Sequence, residues 1–160
     1  MKDDKAKKDP KLAKVFICNT LKALEQYEEK LNGSQQSYSH TLFINACVGL
    51  LMVTTEIMLK NLPTTKVNKD EWGIDPDEIL YASLLTKDKG KLDDRSVQNV
   101  ARLMRNSIAH FGFSFDYNEN KSIPINEISF ELDEQSEFKV ENLSFSSFKT
   151  FVLRVAKELL

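Results

Sequence analysis

Arg105, Asn106 and His110 stand together in "LMRNSIAHFG", residues 103–112, and His110 is one of only two histidines in the chain. Arginine presents a planar fork of donors that matches phosphate oxygens and stays charged at any relevant pH. Histidine gives or takes a proton near neutrality, and asparagine can orient either partner. Three such groups at one helix end suit a phosphodiester. A plainer reading is open as well: a solvated helix face on which Arg105 pairs with a surface carboxylate and His110 ends the helix near its negative pole. At about 100° per residue, Val97, Val100, Ala101, Met104 and Ile108 form a core stripe. Gln98, Asn99, Arg102, Arg105, Asn106 and His110 share the opposite, polar arc. Arg102 thereby extends the set of donors as a candidate substrate-binding residue. Arg105 and His110 lie at opposite margins of this ridge, so only a strongly tilted ridge brings both to one bound group.

The elements that must position this motif read mainly α. Leu12, Val15, Phe16, Leu21, Leu24, Tyr27 and Leu31 recur at three- and four-residue spacing and predict an amphipathic helix over 11–31. "NGSQQS" at 32–37 is a turn. A second, central helix begins near Ser39 and stops before "NLP" at 61–63. Residues 63–75 read as a loop, and "DPDEILYASLL" predicts a short helix after Asp75, with a cap, an early proline and acidic first-turn residues. "KDKGKLDD" at 87–94 is a turn, with Asp93 or Asp94 capping the helix that carries the motif. Beyond Gly112, short alternating runs in "SFDYN", "IPINEISFEL" and "FKV" predict a small β-hairpin. "LSFSSFKTFVLRVAKELL" closes the chain as a helix capped by Ser144 or Ser146, burying Phe148, Phe151, Val152, Val155 and Leu159. The expectation is one helical-bundle domain over 11–160, with residues 1–10 as a disordered arm.

Composition narrows the classes. The chain has 160 residues, of which 41% are hydrophobic and 29% charged, with a formal net charge of -2. These values describe a globular protein and exclude a disordered or collagen-like one. They give no support to tight, non-specific nucleic-acid binding, since Lys87, Lys89, Lys91 and Arg95 form only a local patch. Cys18 and Cys47 sit in apolar helical patterns with no CxxC partner and read as reduced, buried thiols of a cytoplasmic protein. The N-terminus has no secretory-signal pattern. The apolar run from Thr41 to Thr55 falls short of a bilayer span and reads as a core helix, so no membrane partner is expected.

"RNSIAH" resembles the R-polar-x-x-x-H motif of the HEPN superfamily, small helical domains whose members are often metal-independent ribonucleases of toxin, antiphage and RNA-processing systems. "LFINACVGLLMVTTE" at 42–56 is similar to the early core helix of a plasmid- and prophage-associated HEPN group, and a hairpin and closing helix after "LMRNSIAHF" fit the same order. The resemblance covers residues 12–160. It implies a HEPN-like helical bundle, with the motif arginine at Arg105, its polar neighbour at Asn106 and its histidine at His110 as catalytic residues; Arg102 is outside the motif. It further implies RNA as substrate, a homodimer in which two motifs face a shared cleft, and an antitoxin or defence-system partner. The runner-up is a catalytically silent HEPN-like domain that binds RNA, a nucleotide or a protein.

Other candidates carry less. His40, His110, Cys18 and Cys47 show none of the close pair spacings of zinc sites, so neither a metal nor another cofactor is expected. His40 reads as a capping or surface residue. Glu56, isolated among apolar residues, reads first as a buried hydrogen-bonding partner and second as the group that holds the ridge arginine in place. Trp72 and Tyr81 are expected to pack against the core rather than stack on bases.

Overall fold

A computed structural model describes residues 9–31, 38–85, 88, 90–117, 125–132 and 137–160. The expected terminal arm apart from its last two residues, the turn at 32–37, and Lys87 and Lys89 lie outside the described residues. So does the side chain of His40, whose backbone falls in the first turn of the second helix.

Two long helices open the described chain, α1 (Pro10–Leu31) and α2 (Tyr38–Met58). Phe43, Ile44, Cys47, Leu50, Leu51 and Thr54 recur along one side of α2 and are buried. Through that side α2 packs on α4 (Val97–Ala109) and α5 (Phe145–Glu158), while α1 lies against α2. The buried side of α1 is Ala13, Ile17, Leu21 and Leu24, whereas Leu12, Val15 and Phe16, expected in its core stripe, are exposed. Both sides of this helix carry apolar residues, so periodicity alone could not say which one the core would take. Together with the 3₁₀ turn that follows it, α2 gives an apolar helical run from Thr41 to Asn61, long enough to cross a membrane by length and composition, with 44% of its most apolar window buried. That run is longer than the sequence reading allowed.

The expected hairpin proves to be part of a five-stranded antiparallel sheet. Its strands are β1 (Ile79–Leu85), β2 (Lys91–Asp93), β3 (Phe113–Tyr117), β4 (Ile125–Leu132) and β5 (Phe138–Ser144), in the order β2-β1-β5-β4-β3. The helix expected after Asp75 is one 3₁₀ turn, Pro76–Glu78, followed by β1. The cap was read correctly, because Asp75 accepts from the Asp77 N–H and Glu78 bonds back to the Asp75 N–H at 2.8 Å. The run beyond it pairs with β5, Ile79 opposite Val140 and Ala82 opposite Phe138, and a register irregularity between Ile79 and Tyr81 hides the period of two. The segment expected as a turn at 87–94 contains β2, paired with the end of β1.

One face of the sheet is apolar. Ile79, Ala82, Ile128, Phe130, Phe138, Val140 and Leu143 are buried, and α4 and α5 pack on β4 and β5. Ser144 caps α5, accepting from the Ser147 N–H at 3.0 Å, and the five apolar positions expected in that helix are all buried. Trp72, in the single-turn helix α3 (Lys69–Trp72), is buried with its ring 6.2 Å from Phe151, as expected of a packing residue.

Both cysteines are free, Cys18 half-buried and Cys47 fully buried. Burial pushes the Cys47 thiol up to about 12, which suppresses the reactive thiolate. A thiol reagent at pH 8 should therefore label Cys18 slowly and leave Cys47 unmodified in the folded protein, and both should react at once in denaturant. Mass spectrometry of the labelled peptides checks this; rapid labelling of Cys47 under native conditions contradicts its place in the core.

Candidate functional site

The helix α4 is built to be held on several sides. Ser96, not Asp93 or Asp94, is its N-cap, with Oγ accepting from the Asn99 N–H, while Asp94 accepts from the Ser96 N–H. Further first-turn donors are sealed by the preceding loop: Val97 N–H bonds the Thr65 carbonyl and Gln98 N–H the Pro63 carbonyl, both at 3.0 Å. These bonds satisfy groups that a helix start leaves orphaned. Val97, Val100, Ala101 and Met104 are buried as expected, and Ile108 is half-buried against the core. Leu103 and Ser107 join them, because α4 meets α2 on one side and the sheet on another.

Burial on more than one side narrows the polar arc. Asn99, read as a ridge residue, is buried, its Nδ2 donating to the Asp94 carbonyl at 2.7 Å and its Oδ1 accepting from Arg102 Nη2 at 2.7 Å. It is a structural tie. Gln98 donates to the Leu59 carbonyl at 3.1 Å and so fixes the 3₁₀ turn Leu59–Asn61 after α2. Arg102 is half-buried, with Nη2 also 3.3 Å from the Ser83 carbonyl. Desolvation pushes its guanidinium below its usual value, opposed by the charges of Glu137 and Asp94.

Arg105 is held from two sides. Its Nη1 donates to Asn106 Oδ1 at 2.9 Å, and its Nη2 forms an ion pair with Glu56 Oε2 on α2. Glu56 is 42% exposed at its side chain, so it is no buried partner; its second reading, as the group that holds the ridge arginine, is the one realised. Arg105 Nε is buried with no hydrogen-bond partner among the described residues, a costly placement for a permanent cation.

Glu56, Arg102 and Arg105 line one cleft of about 630 Å³, together with Lys60, Pro10, Thr55 and the turn after α2. Three cations, Lys60, Arg102 and Arg105, thus face it against one carboxylate. A chain with an overall charge of -2 concentrates positive charge at its motif arginine. Lys60 went unread in the sequence, although its four-residue step from Glu56 was a usable signal. In the expected basic patch, Arg95 is engaged by Asp93 at 3.0 Å and by the Pro76 carbonyl at 2.6 Å.

His110 is the C-cap of α4 and is exposed, and it is not among the residues that line the cleft. Five helical steps separate it from Arg105, about 140° around the axis and about 7.5 Å along it. Within one chain the arrangement therefore brings Arg105, Asn106 and Glu56 together, with Arg102 beside them, and sets His110 apart. Chemically the cleft can grip an anion, and the exposed imidazole can exchange a proton with a group outside it.

A family model described as HEPN pEK499 p136 matches residues 1–160. No curated protein and no solved structure matches.

Fold and site separate cleanly in α4. Met104→Ala, at a fully buried position, should cost about 2–5 kcal/mol through lost burial and a cavity. His110→Ala, at an exposed cap, should stay within about 0.5 kcal/mol of the parent. Chemical denaturation of both variants reads the difference, and a His110 variant that unfolds makes this histidine structural.

Proposed function

As the chain belongs to the HEPN family described as pEK499 p136, we propose that it is a metal-independent endoribonuclease acting through Arg105, Asn106 and His110. The observation that carries this reading is the cleft in which Arg105, fixed by Glu56 and Asn106, meets Lys60 and Arg102. Arg105 grips the scissile phosphate by charge-assisted hydrogen bonds, and Asn106 orients it. His110 moves the proton. RNA carries its own nucleophile, the 2′-hydroxyl, so attack needs a positioned base and stabilisation of the charge that develops on phosphorus. The 2′-oxygen bonds to phosphorus as the bond to the 5′-oxygen breaks. The products are a 2′,3′-cyclic phosphate and a 5′-hydroxyl.

The separation of Arg105 from His110 in one chain supports a homodimer in which each site draws on two motifs. The exposed apolar face of α1 and α2 supports a second copy there. Leu12, Val15, Phe16 and Leu42 are all exposed, and a groove of about 420 Å³ runs between the helices along Phe16, Leu24 and Leu42. The same two helices also border the cleft, whose lining includes Pro10 at the start of α1 and Glu56 near the end of α2. We place the enzyme in a toxin or antiphage context, in the cytoplasm and with a cognate antitoxin or defence partner, on the strength of the family resemblance. The same separation favours, as the second reading, a silent domain that binds RNA, a nucleotide or a protein without cutting.

Purified protein should cleave total RNA equally with and without EDTA and leave 2′,3′-cyclic phosphate ends, and His110→Ala should abolish the cuts. A single 2′-deoxy substitution at a cut site should stop cleavage there and spare binding. Magnesium dependence, or cleavage of the deoxy site, overturns the mechanism, and binding without cutting selects the silent reading. Light scattering at tens of micromolar, an order of magnitude set by a Kd of that scale, should report a dimer; Phe16→Glu should yield monomers with lowered activity.

A further inference from the structure

The chain turns out of α4 in an unusual way. Phe111 N–H bonds the Ile108 carbonyl at 3.1 Å and Gly112 N–H the Ser107 carbonyl at 2.7 Å. With His110 as C-cap, this is the Schellman pair of bonds, and its left-handed residue is most often glycine. Here it is Phe111, at φ 57, with glycine one position later. Gly112 is needed where it is, since a Cβ there would lie 1.9 Å from the Glu131 carbonyl oxygen. Nothing of that kind explains Phe111. A bulky side chain in the left-handed region costs stability, and burial does not offset that cost, because Phe111 is 88% exposed.

A second non-glycine residue adopts a positive φ, Asn142 at φ 54 on β5, and it faces the same place. Both line a cavity of about 590 Å³ on the side of the sheet away from the helices, with Ser114, Ser129, Glu131 and Lys139 among its walls. Asn142 N–H is held by Ser129 Oγ at 3.0 Å, at the register irregularity between Ile128 and Phe130. A strained residue marks a functional position when its surroundings hold it in place, and Phe111, directly after His110, is such a residue at this cavity, whereas Asn142 is of a type that tolerates the left-handed region.

The chemistry of the walls selects the occupant. Lys139 sits 2.8 Å from Glu141 and 3.7 Å from Glu131, so the cavity carries two carboxylates against one ammonium and repels phosphate. It suits the uncharged part of a nucleotide. An exposed ring beside it offers a stacking platform, carboxylates accept from ring N–H and amino groups, and an ammonium donates to a carbonyl oxygen. Guanine offers both kinds of partner on neighbouring atoms: its N1–H and N2 amino group to a carboxylate, O6 and N7 to Lys139. Adenine and cytosine offer a carboxylate only an amino group, and uracil sets carbonyl oxygens on both sides of its single N–H, so none of them matches the paired donors of guanine.

We propose that Phe111 and the cavity beneath it form a nucleobase subsite, in which a guanine next to the phosphate handled by His110 stacks on the Phe111 ring and turns its polar edge to Glu131, Glu141 and Lys139. The proposal rests on the ribonuclease reading for its place beside the cut, yet binding at the subsite is measurable without turnover.

A fluorescein-labelled tetranucleotide, deoxy at the cut position and carrying one guanine, provides the probe. Fluorescence anisotropy should show Phe111→Ala binding about ten-fold more weakly than the parent, in line with the loss of one base stack. Phe111→Trp should restore the affinity. Phe111→Gly should bind as weakly as the alanine variant while raising Tm by about 2–4 °C, because glycine relieves the left-handed strain. In the parent, the cut sites on total RNA should be enriched for guanine at one fixed position, and Glu141→Gln should weaken that enrichment. If the parent does not cut, the ribonuclease reading fails and the anisotropy series alone decides the subsite. Unchanged affinity in Phe111→Ala overturns the proposal. So does enrichment of another base, or of none, in the cuts, or a change of oligomeric state in Phe111→Ala with RNA affinity intact, which would make the ring part of a protein interface.

Discussion

The burial of α4 against two different partners is the constraint from which the rest of the site follows. Leu103, Met104 and Ser107 are fully buried between α2 on one side and the sheet on the other. A helix packed in this way cannot turn about its axis or slide without opening a cavity in a close-packed core. Its start is fixed independently by the Ser96 cap and by the Thr65 and Pro63 carbonyls. What remains for function is an arc of about 140° that runs from Arg105 through Ala109, Arg102 and Asn106 to His110. Chemistry is thereby confined to one edge of the helix and to the turn that leaves it.

Because α2 supplies one wall of that burial, it also supplies the carboxylate opposite the motif. Its inward residues run from Phe43 to Met58, and Glu56 emerges on the outward side near its end. The 3₁₀ turn that follows is tied back to α4 by Gln98, which places Lys60 on the cleft that Arg102 and Arg105 line. The cleft is thus a by-product of how two core helices end, and packing sets the distances among its charges. Such a site is preorganised, since its groups are held largely by contacts the fold needs anyway.

Helices with one strongly apolar side were legible in the sequence. α5 carries a single core stripe and the observed burial follows it, whereas in α4 the expected stripe is buried and Leu103 and Ser107 are buried beside it. α1 misled, because Leu12, Val15 and Phe16 match a helical period as well as Ala13, Ile17 and Leu21 do, and only the tertiary partner chooses between the two sides. β1 misled for another reason: Asp75 and Pro76 are true start signals, but the long-range pairing of Ile79 with Val140 overrides the local preference after one turn. At the site, Arg105 and Asn106 and the second reading of Glu56 were legible. The structural duty of Asn99 was not, because an apolar stripe drawn from hydrophobicity alone does not include a buried amide that closes a loop.

The pairing of Arg105 with Glu56 needs a physical account, since a carboxylate on the motif arginine looks like a competitor for phosphate. With both side chains partly exposed, such a pair contributes only ~0–1 kcal/mol, so displacement by a better ligand is inexpensive. What the pair supplies is orientation. A free arginine carries about 2 kcal/mol of side-chain rotamer entropy, and a fork clamped at Nη1 by Asn106 and at Nη2 by Glu56 has already lost much of it. Lys60 and Arg102 line the same cleft, and on the proposed reading their charge attracts the incoming anion toward the fork. On the proposed reading, Glu56 is a positioning residue that holds the guanidinium plane of Arg105 until a phosphate oxygen takes its place.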